Sequence, residues 1–90
     1  MNYRKGYIKE IRAVHELKRR GYIAFRSAGS RSPFDVVGIS SSEILLLQVK
    51  SGSGRRHLKD EIRNLKEIRV PKCVRKQIWL FGRRLEIIEC

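Results

Sequence analysis

Residues 34–50 form the most apolar region of the chain, and their pattern leaves few folds open. Two strand-like stretches, 34–40 and 43–50, have only Ser40, Ser41 and Ser42 at their junction, short enough for a hairpin of adjacent antiparallel strands. The strand period of two puts Ile44, Leu46, Gln48 and Lys50 on one face and Leu45, Leu47 and Val49 on the other. Both faces are apolar as far as Gln48, which predicts a central strand covered on both sides. A carboxylate, an amide and an ammonium, those of Asp35, Gln48 and Lys50, then fall at one end of the pair.

The flanking sequence supplies the covers. Across residues 2–20 the positions Ile8, Ile11, Val14 and Leu17, with Tyr3, Tyr7 and Ala13 beside them, recur at helical spacing. Lys18, Arg19 and Arg20 followed by Gly21 suit the negative end of that helix and a left-handed cap. Glu10 borders the apolar stripe, where it is either a solvated helix carboxylate or a site residue. Residues 22–27 read as a short strand. A second amphipathic helix carries Leu58, Ile62, Leu65 and Ile68 inward, with Lys59, Asp60, Glu61, Arg63, Lys66 and Glu67 as polar surface and Pro71 as its stop. Strands 77–81 and 85–89 follow around Gly82-Arg83-Arg84, a turn in which Gly82 is expected to take the unusual dihedral of a primed turn.

The predicted order is therefore αβββαββ in one α/β domain, residues 1–90. The crossover helix between the third and fourth strands sets those two strands parallel, so the sheet is mixed. Trp79, Phe81, Leu85, Ile87 and Ile88 on the last hairpin either pack under a helix or form a contact between two copies.

Charge selects the partner. Lys plus Arg number 21 against 9 Asp plus Glu, a net charge of +12 spread along the whole chain, which points to a nucleic acid. Two loops carry flexible basic segments. Residues 27–33, with Arg31, read as either a surface turn or a phosphate-contacting loop. Residues 51–57, with Arg55 and Arg56, follow Lys50 directly and do not match a nucleotide P-loop. Cys73 and Cys90 lack metal-ligand spacing and are expected to be free thiols in a cytoplasmic protein. The longest apolar run, residues 44–47, is too short to cross a bilayer. His15 and His57 have no partner spacing and are expected to be structural or DNA-facing. The abundance of Arg, Lys, Glu and Ile is compatible with a thermophilic source.

Hydrolysis of a phosphodiester needs a divalent cation and a positive charge near the phosphoryl oxygens. Asp35 and Gln48 offer oxygen ligands and Lys50 an ammonium, and Mg²⁺ suits such a site. An Asp35–Lys50 salt bridge is the simpler reading of the same residues.

The motif combination goes further. Tyr3-Arg4-Lys5-Gly6 leading to Glu10, the Phe25-Arg26-Ser27-Ala28-Gly29-Ser30 run, Asp35-Val36-Val37 and Gln48-Val49-Lys50 together resemble the PD-(D/E)XK nuclease superfamily. Over residues 2–51 they are similar to the archaeal Holliday junction resolvases. The resemblance implies a restriction-endonuclease-like fold and a Mg²⁺-dependent endonuclease of DNA repair and recombination, with Mn²⁺ as a possible substitute. It implies Asp35 as principal metal ligand, Glu10 completing the site, Gln48 and the Val49 carbonyl as further ligands, and Lys50 and Ser30 at the scissile phosphate. Arg4, Lys5, Arg26 and Arg31 would hold DNA. Such resolvases usually carry Glu where this chain has Gln48, which removes one negative charge, although some branches of the superfamily use Gln. The chain also ends at Cys90, earlier than typical resolvases, while symmetric cutting of a four-way junction implies a homodimer. A nuclease-like fold that binds without cutting, a general DNA nuclease and a basic RNA-packaging or ribosomal protein are the alternatives.

Overall fold

The structure is a computed structural model that describes residues 2–27, 32–52 and 55–90, with side chains described from residue 6 onward except that of Arg55. Its elements are α1 (Asn2–Arg19), β1 (Ile23–Arg26), β2 (Val36–Ile39), β3 (Ile44–Ser51), a short 3₁₀ turn (Arg55–His57), α2 (Leu58–Glu67), β4 (Val74–Phe81) and β5 (Leu85–Glu89). The order αβββαββ is the predicted one. The strands form one sheet in the order β1-β2-β3-β4-β5. Only β3 and β4 pair in parallel, as the α2 crossover requires; β1–β2, β2–β3 and β4–β5 are antiparallel.

β3 is central, and its alternation sorts the core into two clusters. Leu45 and Leu47 pack with Ala13, Val14 and Leu17 of α1 and with Ala24, Val36, Trp79 and Phe81. Leu46 faces the other side, where Phe34, Leu65, Ile78 and Leu80 pack with Leu58, Ile62 and Ile68 of the α2 segment. Each helix covers one face, so the sheet needs no second layer. Trp79 and Phe81 are buried beneath α1, and Ile88 joins the α2 cluster, so the packing reading of the last hairpin holds. Ile87 is the part of that hairpin's apolar set left exposed.

α1 ends as its sequence predicts. Gly21 takes φ 94°, its N–H donates to the Lys18 carbonyl at 3.0 Å, and the Tyr22 N–H donates to Leu17 at 3.0 Å. These two bonds close a Schellman motif. Among its described side chains, the helix's apolar stripe is buried from Ala13 onward, while Tyr7 and Ile8 are exposed.

Two expectations need correction. Gly82 does not adopt a positive φ. It serves a close approach instead: a Cβ on Gly52 would lie 3.1 Å from the Gly82 Cα, and the Gly52 N–H donates to Phe81 at 3.0 Å. β4 also begins at Val74, three residues before the predicted start at 77. In the fold Lys76 is buried, and its ammonium donates to the carbonyls of Leu65 and Ile68, closing the C-terminal end of α2.

Candidate functional site

The β2–β3 hairpin closes through Ser40, whose N–H donates to the Glu43 carbonyl at 2.9 Å while its hydroxyl accepts from the Glu43 N–H at 3.1 Å. That turn fixes the register Ile39↔Ile44 through Val36↔Leu47. One step further, Asp35 lies opposite Gln48, and its N–H donates to the Leu47 carbonyl at 2.7 Å. Asp35 is therefore held as a continuation of the ladder just before β2. Its carboxylate accepts the Val49 N–H at 2.9 Å.

Burial pushes the Asp35 carboxyl above its usual range. The Val49 N–H opposes that shift, Glu10 adds to it by repulsion, and Lys50 and Arg26 pull it back. Asp35, Glu10, Lys50 and Arg26 thus share one electrostatic environment although they come from four different elements. Glu10 reaches the site from α1, where its carboxylate accepts from Arg26 Nε at 2.9 Å. Glu10 is thus an ion-paired carboxylate, its side chain 21% exposed. Arg26 lies over the Tyr7 ring, 4.5 Å from its centroid, so its guanidinium is engaged on two sides.

Lys50 does not pair with Asp35. Its ammonium lies 2.5 Å from Glu61 Oε1. Glu61 had been assigned to the polar surface of α2, yet its side chain is only 23% exposed, against 62% for its neighbour Asp60. A helical signal existed: Glu61 lies three residues after Leu58 and four before Leu65, on the flank of the buried stripe. Among the described residues, two buried side-chain oxygens have no hydrogen-bond partner, Gln48 Oε1 and Glu61 Oε2. An acceptor left in that state costs roughly 1–3 kcal/mol.

No group of three or more His, Cys, Asp or Glu able to hold a metal ion occurs among the described residues. The donor chemistry nonetheless fits a hard cation. Asp35 is a carboxylate destabilised by burial and by Glu10, and the Gln48 carbonyl oxygen is buried with no donor. An oxygen-ligating cation that keeps most of its waters, such as Mg²⁺, would relieve both.

Ser30 and Arg31 lie outside the described residues, as do the side chains of Arg4, Lys5 and Arg55. Arg56 is exposed next to α2. Cys73 and Cys90 are free thiols, as expected. No helix among the described residues is long and apolar enough to cross a membrane.

A mixed five-stranded sheet in αβββαββ order, with an acidic residue from the first helix brought towards an Asp and an x-Lys strand end, defines the restriction-endonuclease-like fold of the PD-(D/E)XK superfamily. Within that class the family model described as archaeal Holliday junction resolvase (Hjc) matches residues 1–69, and the chain belongs to this family. The match reaches through α2, beyond the residues 2–51 on which the motif resemblance rested. Among solved structures, the 1.6 Å structure of Archaeoglobus fulgidus Hjc, a Holliday junction resolvase from an archaeal hyperthermophile, is similar with a TM-score of 0.64. It shares 21% identity, over 94% of this chain and 72% of that one, a likeness of fold. Comparison with curated protein sequences returned no match.

Proposed function

We propose that this chain is a divalent-cation-dependent endonuclease that cuts four-way DNA junctions. The observation that carries the reading is the half-buried Asp35 carboxylate, fixed by the Val49 N–H and set among Glu10, Lys50 and Arg26. Membership of the resolvase family supports branched DNA as the substrate.

In this reading Asp35, Gln48, Glu10 and the Val49 carbonyl would hold Mg²⁺, or Mn²⁺ in its place. Bound there, the cation supplies a polarised phosphodiester and an activated water. Lys50 places its ammonium against the charge that develops on the phosphoryl oxygens, and Ser30 contacts the scissile phosphate. Arg4, Lys5, Arg31, Arg55 and Arg56 bind the phosphate backbone, so affinity falls steeply with salt. Arg26, already committed to Glu10 and Tyr7, contributes by orienting Glu10. The reading treats residues 1–90 as one nuclease domain of a cytoplasmic protein. Paired cuts across a twofold-symmetric junction call for a homodimer.

Labelled four-way junctions, linear duplexes and single strands, incubated with Mg²⁺, with Mn²⁺ or with a chelator, test the proposal. Cleavage is expected for the junction, with metal only. Absence of metal-dependent cleavage of every substrate would defeat the enzyme reading, and equal cleavage of all three would make the protein a general nuclease.

A second reading, junction binding without cutting, is favoured by the neutral Gln48 and by the engagement of Glu10 with Arg26. It expects Asp35→Ala to leave junction affinity unchanged or raised, with no wild-type cleavage to lose.

A further inference from the structure

We propose that Glu61 is a ligand of the divalent cation, supplying from α2 the carboxylate that position 48 lacks. The inference rests on the cation-dependent reading above and goes beyond its residues.

Gln48 and Lys50 are two apart on β3 and share the face covered by α2. Glu61 enters that face from α2 and meets Lys50 with Oε1 at 2.5 Å. A carboxylate serving only as counterion to a lysine does best with both oxygens in contact with water or donors, because desolvation works against a buried charge. Glu61 does the opposite: its second oxygen is buried and accepts nothing. The neighbouring acceptor on β3, Gln48 Oε1, is in the same state. Two buried oxygens without donors, in a chain with twelve excess positive charges, are not explained by a shortage of cations. They are explained by a ligand that accepts oxygen lone pairs. Asp35, opposite Gln48 in the extended β2–β3 register, supplies the third oxygen donor.

The charge count supports the same assignment. Asp35 and a neutral Gln48 give one negative charge next to the Lys50 ammonium, a weak set for Mg²⁺. Adding Glu61 gives two carboxylates and an amide oxygen, a set Mg²⁺ accepts with its remaining positions filled by water. Glu10 is then not required as a direct ligand, in keeping with its bond to Arg26.

The test measures cation binding to the whole chain without DNA, by calorimetry with Mg²⁺ and by electron paramagnetic resonance with Mn²⁺. Glu61→Gln should weaken Mn²⁺ binding by about tenfold or more, and adding Gln48→Glu to it should restore most of the loss, on the scale seen for metal-site partners. Glu61→Asp keeps the charge available to Lys50 but withdraws the carboxylate by one methylene, and should still weaken binding by at least about threefold. Melting curves by circular dichroism confirm that each variant is folded. Wild-type affinity in folded Glu61→Gln or Glu61→Asp would overturn the proposal and leave the cation reading standing. No Mn²⁺ binding by the wild type, or wild-type affinity retained in folded Asp35→Asn, would overturn both.

Discussion

The two ends of the central strands β3 and β4 are built from similar residues and finished in opposite ways. Where both strands begin, and along β4 as far as Gln77 opposite Leu47, the side chains of Tyr22, Glu43, Arg75, Gln77 and Glu89 all have partners. The Tyr22 hydroxyl donates to Glu43, and Arg75 forks between Glu43 at 3.1 Å and Glu89 at 2.8 Å. Gln77 Nε2 donates to Glu89 at 2.7 Å, while its Oε1 accepts the buried Trp79 indole N–H at 2.9 Å. Past the middle of the eight-residue β3, four residues or roughly 13 Å beyond Ile44, the Asp35 carboxyl is pushed up by burial, and Gln48 Oε1 and Glu61 Oε2 accept nothing. Arginine and lysine are abundant enough to have satisfied both ends. In the proposed function, the second end is where stability is given up for binding, since buried acceptors in native folds are normally matched.

Asp35 should show this difference most strongly. Asp35→Asn keeps an acceptor for the Val49 N–H but removes the charge, and junction cleavage should fall at least about 10³-fold, roughly 4 kcal/mol of barrier. The same substitution should raise the melting temperature at neutral pH. Because burial raises the folded pKa of Asp35 above its unfolded value, the charged form works against folding. Folding is favoured by the protonated form at low pH, and that favour is lost as pH rises through the folded pKa. The gain from Asp35→Asn is therefore present at pH 7 and vanishes below pH 4, which thermal melts across that window would measure. A loss of thermal stability at pH 7 would mean that the site end is as well satisfied as the other.

The matched end should respond in the opposite sense. Gln77→Met removes the acceptor of a fully buried indole N–H and should cost about 1–2 kcal/mol in urea denaturation, with cleavage per folded molecule unchanged. Arg75→Met breaks two ion pairs, but the side chain is 46% exposed, so solvent screening limits the cost to about 1 kcal/mol. Hydrogen bonds from Tyr22 and then Arg75 hold the Glu43 carboxyl below its usual range, and Arg75 does the same for Glu89. Both carboxylates stabilise the fold above their unfolded pKa and lose that contribution as pH falls through the lower folded values. The difference between wild type and Arg75→Met should therefore also shrink as pH drops below 4, but with the opposite sign, since here the wild type is the more stable of the pair at pH 7.

The legibility of the two ends from sequence differed for a physical reason. Alternation along residues 44–50 exposed the central strand, its two covered faces and the placement of Asp35 at the same end of the hairpin as Gln48 and Lys50, because a hairpin is a local property. The αβββαββ order and the parallel β3–β4 pair followed from helix and strand periods alone. What escaped depended on partners distant in sequence. The start of β4 was hidden because Lys76 finds its partners only at the end of α2, and Arg75 only in Glu43 and Glu89. Glu61 was hidden likewise, since only the packing of α2 on β3 brings it to Lys50. Gly82 was misread because a Gly in a hairpin suggests a left-handed turn, whereas here it clears space for the Gly52 backbone.

Gln48→Met makes the finest distinction, as a counterpart to the same change at Gln77. The two glutamines lie on neighbouring strands, one residue apart in register and on opposite faces of the sheet, and Gln77 Oε1 has a donor where Gln48 Oε1 has none. Methionine matches glutamine in length and offers no strong acceptor. At position 77 it strands a partner, whereas at position 48 it removes a group whose desolvation is uncompensated. Gln48→Met should therefore stabilise the cation-free protein by about 0.5–1 kcal/mol, read as a rise in the urea midpoint at constant m-value. Added Mg²⁺ should reverse the ranking, because the wild type gains stability from a cation that the variant binds weakly. A variant less stable than wild type without Mg²⁺ would mean that Gln48 Oε1 is satisfied in solution, and the distinction between the two ends would lose its strongest support.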